Sequence, residues 1–182
     1  MLETRIHTPE TAGDGTPVVI LMHGRGADLA DLVPLGRAFP DRAALVFPRA
    51  PHSGMPWGYG PGWAWYRYEG DDRPEAESFR ASQEALGELI HGLPALLGFA
   101  PGPVVPGGFS QGGTMAIGYA LQNPGAVPAV LNFSGFVPSH PDVEVTPGTV
   151  AETAFWWGHG TRDAAVVYDP LAVRGRAALR EA

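Results

Sequence analysis

The sequence contains no cysteine and no lysine. The first absence excludes disulfides, a thiol nucleophile and thiolate metal sites. The second makes arginine the source of all twelve positive side chains, a compositional bias rather than the mark of a site. Those arginines are scattered among 19 acids, for a formal charge of -7. With no basic cluster, no nucleic-acid partner is expected. The apolar run Val18–Met22 is far too short for a bilayer, which takes about 20 residues. The opening residues MLETRIHTPE hold no apolar stretch of the secretory kind. No membrane span is expected, and the location is expected to be cytoplasmic. Repeats and linkers are missing as well, so residues 1–182 are read as one domain.

What the chain does have is a hydrophobic share of 45%, enough for a core, punctuated by 25 glycines and 19 prolines. Residues 2–7 suggest a short first strand. Val18–Met22 and residues 43–47 are continuous apolar runs closed by glycine or proline, as in strands buried on both faces. Between them, residues 27–39 carry helical spacing weakened by Pro34 and Gly36. Residues 48–66 form a long loop rich in proline, glycine and aromatic side chains. Helical spacing returns over 74–91, with Gly92 and Pro94 expected to disturb it. Strands are predicted near 103–109, 127–133 and 153–160, a helix after Ser110, and a last helix opening on Asp169-Pro170. Strands and helices alternate, so the expected fold class is α/β with a mostly parallel sheet flanked by helices.

Three motifs carry chemistry. Gly108-Phe109-Ser110-Gln111-Gly112 fits G-x-S-x-G, a sharp turn that lifts a serine between a strand and a helix. The helix N-terminus there supplies amide N–H groups and a positive dipole end. Pro106 counts against a central strand at that place. The second motif, LMHGRGAD at 21–28, ends a buried strand in glycines, where an oxyanion-binding amide belongs in such a fold. Its His23 reads more readily as a packed, hydrogen-bonded ring than as a base. The third, WWGHGTRD at 156–163, places Asp163 on a turn after a late strand. Taken alone, that aspartate reads better as a turn cap.

Together these segments resemble the phospholipase/carboxylesterase family of α/β-hydrolases, which includes the acyl-protein thioesterases. PRAP at 48–51, WAWYRY at 63–68 and FSGFVP at 133–138 add to the resemblance in the right order, with Arg67 standing where an acid is usual. The resemblance implies an α/β-hydrolase fold and a serine carboxylesterase acting on carboxylic esters or thioesters through an acyl-Ser110 intermediate. It implies Ser110 as nucleophile, Asp163 as acid, and the backbone N–H groups of Arg25 and Gln111 as the oxyanion hole. His23, Gly24, Trp65 and Phe136 are the implied substrate-binding residues. Neither metal nor cofactor is implied, and the expected partner is a small ester or acyl compound. The oligomeric state is left open.

One element of the family pattern is missing. No histidine follows Asp163, where the family places its base, and a serine hydroxyl is a poor nucleophile without one. Three readings stay open: a chain that is C-terminally incomplete, a base recruited from His140 or His52, or a hydrolase fold that binds an acyl ligand without catalysis.

Overall fold

A computed structural model describes residues 1–70 and 72–182. Six strands form one sheet: β1 (Thr4–His7), β2 (Val18–Met22), β3 (Ala44–Pro48), β6 (Val104–Phe109), β7 (Ala129–Phe133) and β8 (Ala154–Gly158). Their order is β1-β3-β2-β6-β7-β8. Only β1 runs antiparallel to its neighbour; every other pairing is parallel. Two short strands, β4 (His52–Ser53) and β5 (Trp63–Ala64), pair separately and tie off the ends of the aromatic loop.

The alternation of side chains across β2 divides the core. Val18, Ile20 and Met22 face the larger cluster. Val19 and Leu21 face a smaller one with Leu45 and Phe47. Helices α1 (Ala76–Leu97) and α2 (Gln111–Gln122) cover the first face with Phe79, Leu86, Leu89, Met115 and Ile117. The C-terminal helix α4 (Val173–Glu181) sits on Trp157, close enough that a Cβ at Gly175 would meet its ring at 2.7 Å. The second face is covered beside β2 and β3 by the short helical turn Val33–Ala38. Toward β8 it is open: Phe109 and Trp156 are 45% and 52% exposed.

Several expectations needed adjustment. Residues 27–39 do not form an α-helix; turns lead into a six-residue 3-10 segment with Pro34 at its start. Proline fixes the first turn, and Gly36 lies against Leu45 and Phe47, so a short tight coil covers the sheet there. Conversely, α1 runs through Gly92 and Pro94 to Leu97 and ends at Gly98, whose φ is +78°. Pro94 forfeits one hydrogen bond, but Leu93 is buried and Leu96 and Leu97 pack on the core. Residues 137–150 include one turn of helix, α3 (Pro147–Val150), capped by the Thr146 hydroxyl. The last helix starts at Val173, because a wide turn over Tyr168–Ala172 comes first; Asp169 is not its cap.

Pro106 is accommodated inside β6. It lies opposite Ile20 of β2, while pairing with β7 begins only at Gly107. It therefore occupies the stretch of β6 that has a strand neighbour on one side only. Among the described residues, no helix is long and apolar enough to cross a membrane.

Leu86 is fully buried between α1 and the sheet. Leu86→Ala is expected to lower unfolding free energy by about 2–5 kcal/mol, read as a shift of the urea midpoint. The same change at the exposed Glu84 should stay within about 0.5 kcal/mol.

Candidate active site

Parallel strands deliver their carboxyl ends, Met22, Phe109, Phe133 and Gly158, to one edge of the sheet. The candidate residues lie on the loops that follow, the usual place for a site in such a sheet. Ser110 stands on the sharpest of these turns, with φ +52° and ψ −115°. That backbone region costs a non-glycine residue on the order of 1–3 kcal/mol. The turn is held on both sides. The Ser110 N–H donates to the Phe133 carbonyl at 2.8 Å, and its own carbonyl accepts from the Thr114 N–H at 3.0 Å.

The flanking glycines have steric causes. A Cβ on Gly108 or Gly112 would run into the Met22 carbonyl oxygen, and one on Gly113 would strike Asn132 Oδ1. A Cβ on Gly107 would come within 2.7 Å of the Leu131 side chain. Helix α2 thus starts in direct backbone contact with β2 and β7, a spacing that only hydrogen side chains allow.

Two N–H groups next to the serine are free. The Arg25 N–H has no acceptor among the described residues. The Gln111 N–H opens α2 and has no intrahelical partner either. Ser110 and Arg25 border one cleft of about 260 Å³, together with Tyr68, Gly70, Phe136, Ala165 and Val166. Phe136 is brought there by α2: its N–H donates to Thr114 Oγ1 at 3.1 Å, after a turn that Asn132 closes through the Gly135 N–H at 2.8 Å. Burial pushes the Tyr68 phenol above its ordinary value of 10, so it is protonated and can donate into the cleft at neutral pH.

Asp163 shapes the opposite wall. Its Oδ1 accepts from the N–H groups of Ala165 and Val166, each at 3.0 Å. Its Oδ2 lies 3.5 Å from His159 Nε2. The aspartate is thus a turn-former as well as the candidate acid, and the turn it forms carries two cleft residues.

Residues 4–176 match the sequence profile of the family described as Phospholipase/Carboxylesterase. The chain belongs to that family. Its fold is the α/β-hydrolase fold, seen also in the Bacillus cereus carboxylesterase (TM-score 0.80, 17% identity, all of this chain and 80% of that one). Esterase PE8 superposes with a TM-score of 0.74 at 26% identity, over 99% of this chain and 84% of its own. Acyl-protein thioesterase 1 of Cryptococcus neoformans is 26% identical over 165 residues, 84% of this chain and 68% of the relative. The similar proteins are therefore ester and thioester hydrolases by name.

Against the family pattern, the histidines need individual account. The chain has six, and none borders the cleft. His23 is buried at the end of β2. The Ala50 N–H donates to its Nε2 at 3.0 Å, so the proton sits on Nδ1, which donates to the Gly24 carbonyl at 2.7 Å. His140 takes the Asp142 N–H on Nδ1 and packs on Phe79 at 4.7 Å between ring centroids. His159 is equally enclosed: Trp157 Nε1–H donates to Nδ1 at 3.3 Å, and Nε2–H donates to the Val166 carbonyl at 2.8 Å. His52 stacks on Trp57 at 5.0 Å, with its Nε2 buried and unpaired. His7 lies near Asp41 and His91 on α1.

Of the expected binding residues, Phe136 borders the cleft, whereas His23, Gly24 and Trp65 lie behind it, all buried. Their part is to hold the frame. Trp65 Nε1–H donates to the His23 carbonyl at 2.9 Å. The Gln111 side chain, fully buried, accepts from the Trp65 N–H at 3.0 Å and donates to the Tyr66 carbonyl at 2.8 Å. Sequence reasoning assigned Gln111 a backbone N–H alone and missed this clamp. It also missed Tyr68 and the 165–166 wall, whose only signal was proximity to the recognised segments.

Two outcomes follow from this geometry. Gly112→Ala pushes a methyl group into the Met22 carbonyl and should cost more than about 2 kcal/mol, visible as a lowered melting temperature; an unchanged value would contradict the packing described. Burial lowers the His23 pKa from 6.5. The unfolded chain then binds the proton more tightly than the folded one. His23 therefore favours folding fully above about pH 6.5, and that share is lost as pH falls through the lower folded value. Urea midpoints between pH 8 and 5 should fall less steeply in His23→Gln than in the parent.

Proposed function

We propose that the chain is a serine hydrolase for small carboxylic esters or thioesters, with Ser110 as nucleophile. The supporting observation is a half-buried serine on a strained turn that shares one cleft with Arg25, whose N–H, like that of the adjoining Gln111, has no acceptor among the described residues. In this reading Ser110 Oγ attacks the substrate carbonyl carbon. The carbonyl oxygen gains charge and is held by the two N–H groups. The alcohol or thiol leaves, and water releases the acid from acyl-Ser110. Asp163 is the proposed acid of the site, oriented by the turn it caps.

The proton on Ser110 must go to an acceptor. None of the six histidines borders the cleft, and this favours a second reading, a cleft that binds acyl compounds without turning them over. Incubation with p-nitrophenyl butyrate and with a fluorophosphonate probe separates the two. Under the first reading the parent hydrolyses the ester and is labelled, and Ser110→Ala loses labelling and at least about 10³-fold in kcat. Ester binding with neither turnover nor labelling replaces it with the second.

A further inference from the structure

We infer that the Arg25 side chain is an anion-recognition group, and that the cleft takes small esters bearing a carboxylate. This rests on the esterase reading of the cleft for the word "ester", but the recognition itself is independent of catalysis. Among the described residues, Arg25 is the one charged side chain bordering the cleft. Its guanidinium carbon lies 4.8 Å from the Tyr59 ring centroid and 5.3 Å from that of Tyr68. Such cation–π contacts hold the charge in place without supplying an acceptor oxygen to its N–H donors.

Those donors have no acceptor among the described residues. Arg49, Arg73 and Arg80 each pair with a carboxylate. Arg25 makes neither an ion pair nor a side-chain hydrogen bond with any described residue. The two rings are themselves tied down. The Tyr68 N–H donates to the Tyr59 hydroxyl at 2.8 Å, and the rings meet edge to face at 6.4 Å. The guanidinium is therefore positioned before any ligand arrives, which reduces the ordering cost of binding.

Charge and size narrow the ligand. The chain carries a formal charge of -7, so a favourable pull on an anion has to be local. Screening confines such a pull to roughly 8–10 Å at physiological salt. A planar carboxylate matches the fork of guanidinium N–H donors in bidentate fashion. The cleft, about 260 Å³, is close in size to ordinary small-molecule sites, so a short carboxylate ester is a fitting probe.

The test uses the full chain carrying Ser110→Ala, so that no ester is consumed. Binding of monomethyl succinate is compared with that of methyl levulinate, its uncharged counterpart of equal size, by chemical-shift titration. The charged ester is expected to bind about five- to tenfold more tightly, a gain in keeping with a partly exposed but pre-ordered pair. Adding Arg25→Gln should bring the ratio close to one, and ligand-free amide shifts of Ser110 and Phe136 that match the parent's report an intact cleft. A ratio near one before that change, a ratio that survives it, or no measurable binding of the succinate ester overturns the inference. Loss of turnover and of fluorophosphonate labelling in the parent, with the binding ratio intact, would instead count against the esterase reading alone.

Discussion

The start of helix α2 touches the backbone of β2, and the rest of the site is arranged around that contact. The Met22 carbonyl lies where side chains of residues 108 and 112 would be, and Asn132 Oδ1 lies where one of residue 113 would be. Because the helix can come so close, its first N–H groups end up beside the turn after β2. That is how Ser110 and Arg25, 85 positions apart in the chain, come to border one cleft. A helix set back by one methyl group would separate them.

A buried polar network fixes the direction of approach. Gln111 reaches from α2 to the backbone of Trp65 and Tyr66; Trp65 reaches on to the His23 carbonyl; His23 spans Gly24 and Ala50. Ser82 of α1 adds a hydrogen bond to the Trp65 carbonyl. Each polar group here has a partner, so the network avoids the penalty of unpaired burial while tying five segments together. Apolar contacts could supply similar stability but not the same register, since only hydrogen bonds are directional. The role of His23 is accordingly structural, and the free amides next to it are the chemically available groups.

Much of this was legible before any coordinates. Val18–Met22 reads as a buried strand because every residue in it is apolar, and β2 has those bounds. The glycines around Ser110 announce a turn that no other residue could make. Less could be read where local preference yields to packing. Pro94 argues for a helix end, but the buried Leu93 before it and the core-packed Leu96 and Leu97 after it keep α1 going. Residues 27–39 have helical spacing, yet the space above β3 admits only a tight coil. Side-chain direction was the hardest to anticipate. His23 and Trp65 look like site residues by position, and only the hydrogen-bond directions place them behind the cleft. The triad pattern of the family is incomplete in this sequence, and the structure offers no histidine at the cleft to complete it.

Ser110 occupies a backbone conformation that glycine would adopt without cost. The hydroxyl is therefore retained against the preference of the fold. Selection for thermal or proteolytic endurance alone, applied to a library of this chain, would drift toward glycine at that position and erase the candidate nucleophile without disturbing the sheet. In engineering terms, the residue of greatest chemical interest is also a cheap source of added stability. Any stabilisation campaign on this scaffold therefore has to hold position 110 fixed from the start.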